Sequence, residues 1–124
     1  MAHLEAVWAF VQGVQAYRRR ALARLSGSPH VLRLTYMGGH PGIWEPEEFL
    51  VGRVGDQLRL VDRRGDRWYD LPLDRIGGLT SLEAGCVSVS FEPTAGLRTA
   101  VAFRAEEGGP ESYRKLLDLL VPGA

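Results

Sequence analysis

Between two stretches of helical spacing, the apolar residues of this chain recur at every second position for about eighty residues, with turn residues roughly every ten. The segments are HVLRLTYM, FLVGRVG, QLRLVDRRG, DRWYDLPL, RIGGLTSLEA, CVSVSFEP and LRTAVAFRA. In CVSVSFEP, Val87, Val89 and Phe91 face one way and Ser88 and Ser90 the other. Gly55 and Asp56 separate two runs at hairpin spacing, and Arg64 with Gly65 and then Thr94 to Gly96 mark further turns. About seven strands so spaced predict an antiparallel sandwich or a partly open barrel. After Gly108 and Gly109, Pro110 and Glu111 open a second helix, whose Tyr113, Leu116, Leu117 and Leu120 share one face.

The chain has 124 residues, the size of one domain, and 45% hydrophobic content suffices for a core of its own. Fifteen basic residues balance fifteen acidic ones, so no net field draws the molecule to nucleic acid or to an anionic membrane. The lone cysteine, Cys86, excludes an intramolecular disulfide and reads as a small buried hydrophobe. The default location is therefore cytoplasmic. All basic residues but Lys115 are arginine, a composition that suggests a GC-rich bacterial genome.

The first helix, Leu4 to Leu25, carries Leu4, Val7, Trp8, Val11, Val14, Ala21, Leu22 and Leu25 on one stripe, widened by Phe10 and Tyr17. Arg18, Arg19 and Arg20 follow the apolar stretch, the reverse of a secretory signal, and suit the negative end of the helix dipole. The stretch is too short and too polar, with Glu5, Gln12 and Gln15, for a membrane span. So wide an apolar face has to be covered. It packs on its own barrel, or pairs with its copy in a homodimer, or lies on a membrane with Trp8 and Phe10 inserted and Arg18, Arg19 and Arg20 at the surface. Packing on its own barrel costs no association entropy, and Glu5 with the glutamines does not favour lipid.

LTYMGGHPG at the end of the first strand and LPLDRIGGL at residues 71–79 resemble the corresponding stretches of small bacterial pleckstrin-homology-like (GRAM-like) domains. The resemblance covers residues 30–120 or so. It implies a mainly β, α+β fold: a seven-stranded antiparallel half-open barrel with a C-terminal capping helix, to which an N-terminal amphipathic helix has been added. The domain plan is then residues 1–27 for the helix and 28–124 for the PH-like unit. Phosphoinositide-binding members hold phosphates with basic residues near the first two strands. Here that loop, GGHPGIWEPEEF, offers Glu45, Glu47 and Glu48 and no cation, leaving Arg33 and Arg53 as those within reach.

Turn chemistry accounts for YMGGHPG: Gly38 and Gly39 permit positive φ, Pro41 holds His40 extended, and Gly42 lets the chain reverse, with Tyr36 and Trp44 as partly buried props. The sharper reading displays His40, Ile43 and Trp44 on a rigid loop as a recognition surface. His3, His30, His40 and Cys86 have no metal-ligand spacing, and the chain has neither a nucleophile elbow nor a phosphate loop. Neither a metal, another cofactor nor catalysis is expected. In RLVDRRGDRWYD, Asp62, Asp66 and Asp70 interleave with Arg59, Arg63, Arg64 and Arg67, the pattern of an ion-paired hairpin that guards a sheet edge rather than of a nucleic-acid surface. The expectation is a non-catalytic binding or scaffolding module for an unidentified protein or peptide, or for self-association. The alternative is a peripheral membrane or lipid-binding module using the basic helix.

Overall fold

The computed structural model describes residues 15–105 and 109–121. Helix α1, described over residues 15–23, is followed by β1 (Leu32–Gly38), β2 (Glu47–Val54), β3 (Gln57–Asp62), β4 (Trp68–Pro72), a 3-10 turn (Leu73–Arg75), β5 (Ile76–Ser81), β6 (Cys86–Thr94), β7 (Leu97–Ala105) and helix α2 (Gly109–Leu120). The seven strands form one antiparallel sheet in the order β4-β3-β2-β1-β7-β6-β5. Its two ends are not paired to each other, so the barrel is half open, with β4 and β5 as its edges.

Alternation decides which side chains go in. Leu34 and Tyr36 of β1, Phe49 and Val51 of β2, Leu58 and Leu60 of β3, Val87, Val89 and Phe91 of β6, and Val101 and Phe103 of β7 line a common core. Val54 and Gln57 pair across Gly55 and Asp56, with Gly55 at φ 58°, so these two residues make the tight turn expected of that spacing. Helix α2 completes the core with Leu116 and Leu119. The sequence placed Leu117 on this face; it is exposed, and Leu119 is buried in its stead. Arg53 at the end of β2 fixes the far end of α2 by donating to the carbonyls of Leu119 and Val121, groups that a helix leaves without partners.

A smaller apolar cluster lies on the outer face of the sheet. Ala21 and Leu25 are buried against Val61, with Leu50 and Val54 around them. The chain after α1 is tied down by Ser28, whose hydroxyl accepts from the Arg53 N–H and donates to the His30 carbonyl. Residues 15–25 thus pack on their own barrel, though Leu22 of the expected stripe is exposed. The first half of the expected helix, with Trp8 and Phe10, lies outside the described residues.

Two glycines make this docking sterically possible. A Cβ on Gly65, in the β3–β4 turn at φ 75°, would stand 2.6 Å from the Ala21 nitrogen. One on Gly52 would meet the Ser28 hydroxyl at 2.7 Å. Both are closer than atoms approach without something moving.

Candidate functional site

Because neighbouring strands are antiparallel, the β1–β2, β3–β4 and β6–β7 connections gather at one mouth of the barrel. The first of these turns inward. The Tyr36 hydroxyl, buried at the end of β1, accepts from the His40 N–H at 2.7 Å and donates to the Ile43 carbonyl at 3.1 Å. Gly38 and Gly39 take φ of 151° and 104°, and a Cβ on Gly39 would overlap the Ala100 carbonyl oxygen, so the backbone there has room for hydrogen only. Thr99 of β7 donates to the Gly39 carbonyl from the other side.

This geometry places the three loop residues differently. The His40 ring stacks on Phe91 with centroids 5.7 Å apart and meets Tyr69 edge-on, bridging β6 and β4 across the mouth. Its Nδ1 accepts from the Gly42 N–H at 2.9 Å, which requires the neutral imidazole, and burial lowers its pKa from the ordinary value of 6.5. Ile43 is buried in the core. Trp44 is 91% exposed and presents its ring to solvent, a correction to its role as a partly buried prop. Tyr36 is a prop as expected, but a fully buried one.

The two sheet edges differ in their protection. On β4, Asp70 forms a two-pronged ion pair with Arg59, Pro72 ends the strand, and the Arg24 guanidinium lies 4.5 Å over the Trp68 ring. Charge, proline and a covering side chain are three devices that keep an edge from accepting a foreign strand. The β5 sequence is IGGLTS, with Gly77, Gly78, Thr80 and Ser81 exposed and no charge or proline in it.

Beside the end of β5 runs a groove of about 560 Å³ between the β5–β6 turn and the start of α2. Leu82, Val87, Pro110, Tyr113 and Leu117 give it apolar walls, and Arg114 is its charged group. The Tyr113 hydroxyl reaches the Leu79 carbonyl at 3.4 Å, so helix and edge strand meet there. Cys86 also lines the groove and is half-exposed on the serine side of β6; the expectation that it is buried is corrected by the strand's own alternation. The turn needs left-handed backbone at Ala84, φ 58°, and at Gly85. Alternation and glycine content announced the strand in the sequence, but nothing there marked it as a sheet edge, because edge status is set by how the sheet closes.

No protein-family model matches this sequence, and no curated protein matches it significantly. Solved structures do. One is that of human RhoA in complex with the DH/PH fragment of PDZRHOGEF, matched at a TM-score of 0.56 and 15% identity over 86% of this chain. This chain spans 36% of that one. A second, the PH domain from TgAPH, matches at 0.50 and 17% identity over 88% of this chain and 89% of its own. The fold is pleckstrin-homology-like. At these identities the likeness establishes the PH-like fold, which by itself assigns no ligand.

Within that PH-like fold the remaining expected site residues fall as follows. Arg33 pairs with Glu48 at 3.4 Å, and Arg53 is spent on the end of α2, so neither cation is free for the Glu-rich first loop. Arg20 turns toward the barrel and pairs with Asp66 at 2.8 Å, whereas Arg18 and Arg19 are exposed. The β3–β4 hairpin is ion-paired as its sequence suggested: Arg59 with Asp70, and Arg67 with Glu47 and the buried Asp62. Both neighbouring carboxylates hold the Arg67 guanidinium in its charged form, Glu47 the more strongly. Asp62 also accepts from the Asp66 N–H and so closes the turn, a role its spacing did not reveal. No cluster of potential metal ligands occurs among the described residues, and none of their helices is long and apolar enough to cross a membrane.

Proposed function

We propose that this chain is a non-catalytic recognition module that takes an extended peptide segment of a protein partner as an added strand on the outer edge of β5. The observation that carries the reading is the contrast between edges: β4 is charged, proline-ended and covered, whereas β5 carries no charge or proline of its own, with the Arg98 guanidinium over Gly77 and the Tyr113 hydroxyl at the Leu79 carbonyl touching it. Main-chain hydrogen bonds would supply affinity along Gly77–Ser81, the incoming strand displacing the Tyr113 hydroxyl from the Leu79 carbonyl, and the groove beside α2 would receive side chains. The mouth loop supports this division of labour, since His40 and Ile43 are committed to packing within the barrel and leave Trp44 as its outward contact. The neighbouring RhoA complex shows a protein assembly that includes a DH/PH fragment, which agrees with a protein partner.

In this reading the chain is a bacterial, GRAM-like, cytoplasmic module in which residues 1–27 are an added helix and 28–124 the binding unit. What supports it is the likeness of LTYMGGHPG and LPLDRIGGL and the arginine-rich composition. The test is amide hydrogen exchange of the full chain with peptides selected from a random displayed library. Slowed exchange at 76–81 is the expected result. Protection confined to 39–46 would move recognition to the Trp44 loop. Changes confined to 15–24, seen with anionic vesicles and abolished by salt, would make the basic helix a membrane contact instead.

A further inference from the structure

The groove at the end of β5 has a chemical preference that strand addition alone does not specify. Main-chain pairing is blind to sequence, so selectivity has to come from side chains seated next to the paired segment. Two features set what fits. Leu82 and Leu117 both line the groove with 47% and 40% of their surface exposed, enough uncovered apolar area to reward an inserted hydrocarbon or ring. Arg114 stands at the same place, exposed, and has no carboxylate partner among the described residues, whereas the neighbouring Lys115 is already paired with Glu111 at 3.3 Å. Among the described residues, no other charged side chain lines the groove.

We infer that the groove binds a partner segment carrying a large apolar side chain next to an acidic one, just outside the residues that pair with β5. The apolar side chain lies between Leu82 and Leu117, and the carboxylate meets the Arg114 guanidinium. This rests on strand addition at β5. A basic partner segment would bring a like charge against Arg114, so the same residue that attracts one class rejects the other. The volume of about 560 Å³ falls within the range of roughly 300–1,000 Å³ that houses bound ligands, ample for two adjacent side chains.

Cys86 supplies the readout, since it is the chain's one thiol and lines the groove. The probe is an extended peptide of alternating Thr and Val flanked at both ends by Phe-Asp, compared with peptides flanked by Ala-Asp, Phe-Asn and Phe-Lys. The full chain is treated with iodoacetamide in the presence of each, and exchange at 76–81 is followed in parallel. Phe-Asp is expected to slow Cys86 alkylation and to bind roughly three- to tenfold more tightly than Phe-Asn or Ala-Asp, with Phe-Lys weakest. Arg114→Glu, on the exposed face of α2, is expected to keep its circular dichroism and to reverse the order of Asp and Lys. If all four peptides protect 76–81 equally and Arg114→Glu changes nothing, the preference is wrong and strand addition survives. If none protects 76–81, both ideas fall. Thiol protection that rises with protein concentration alone would put a second copy in the groove and overturn the inference.

Discussion

His40 shows how a single side chain can be recruited from a surface-looking loop into the frame of the barrel. Its ring is held by Phe91 on one face and Tyr69 at the edge, and its Nδ1 is occupied by the Gly42 N–H. A protonated imidazole has no lone pair for that bond, and the side chains that the ring packs on are the aromatic rings of Phe91 and Tyr69, neither of which can balance a positive charge as a carboxylate would. Its folded-state pKa is lowered, so the unfolded chain binds the proton more readily. Stability from this residue is complete above the unfolded value of 6.5, declines as pH falls through the lowered folded value, and is then level. Urea midpoints at pH 7.5 and at successively lower pH check this: the fall for the native chain is expected to exceed that for His40→Gln. Equal falls would mean that other groups carry the acid sensitivity. None of this was legible in GGHPG, whose glycines and proline announced a turn. The rings that receive His40 come from β4 and β6, far along the chain, and short-range turn chemistry cannot see them.

At the scale of elements, the sequence was most informative where the period was strict. Each of the seven runs became a strand, because burying one face of a sheet fixes side-chain parity between bulges; in β5 parity breaks at the irregularity between Ile76 and Gly78, so that Ile76 and Leu79, three residues apart, are the half-buried pair. The same parity places Cys86 outward with Ser88 and Ser90, where its apolar character alone had suggested the interior. In α2, Leu116, Leu117, Leu119 and Leu120 are close enough in sequence that a small rotation of the helix exchanges which of them is buried, and only the barrel it caps decides for Leu119. The docking of α1 was legible as a wide apolar face, but its receptor was not, since Val61 looks like one more residue of a strand until the outer face is seen to lack polar cover. Gly65 is the sharpest test of that docking. Alanine there adds a left-handed backbone cost of roughly 1–2 kcal/mol, and its methyl group would press on the main chain of Arg20 and Ala21. Gly65→Ala is expected to lose about 2 kcal/mol or more in denaturation. Hydrogen exchange should rise first at 15–24 and leave the β1, β2 and β7 amides protected. Uniform loss of protection would show that helix and sheet unfold as one unit.

For the whole molecule, the question is whether the helix belongs to the barrel or to an assembly, and the two apolar clusters bear on it directly. Among the described residues, the main core, from Leu32 to Leu119, contains none of α1, whereas the outer cluster consists of Ala21 and Leu25 on Val61. A chain beginning at Ser28 keeps the first cluster intact and uncovers the second. It is expected to retain the β-rich circular dichroism of the full chain, because every strand and α2 remain with their core. Its stability should be lower by at least about 1.5–3 kcal/mol, the worth of burying one leucine, since Leu25 is 2% exposed in the full chain. The ion pair of Arg20 with Asp66 adds little to that figure, both partners being about half exposed. Uncovering Leu50, Val54 and Val61 should also raise the binding of an apolar dye. Light scattering of both chains then separates the two roles. Residues 17–25 already reach their own β3–β4 hairpin through Arg20, Arg24 and Tyr17, so a helix seated on its own barrel predicts monomeric mass for both chains. A full chain that is dimeric beside a monomeric, folded shorter chain would instead make the helix an assembly device. The β5 edge would then be displayed twice, at a spacing fixed by the dimer, and binding of a partner with two acceptor segments would gain by the effective concentration of the second site.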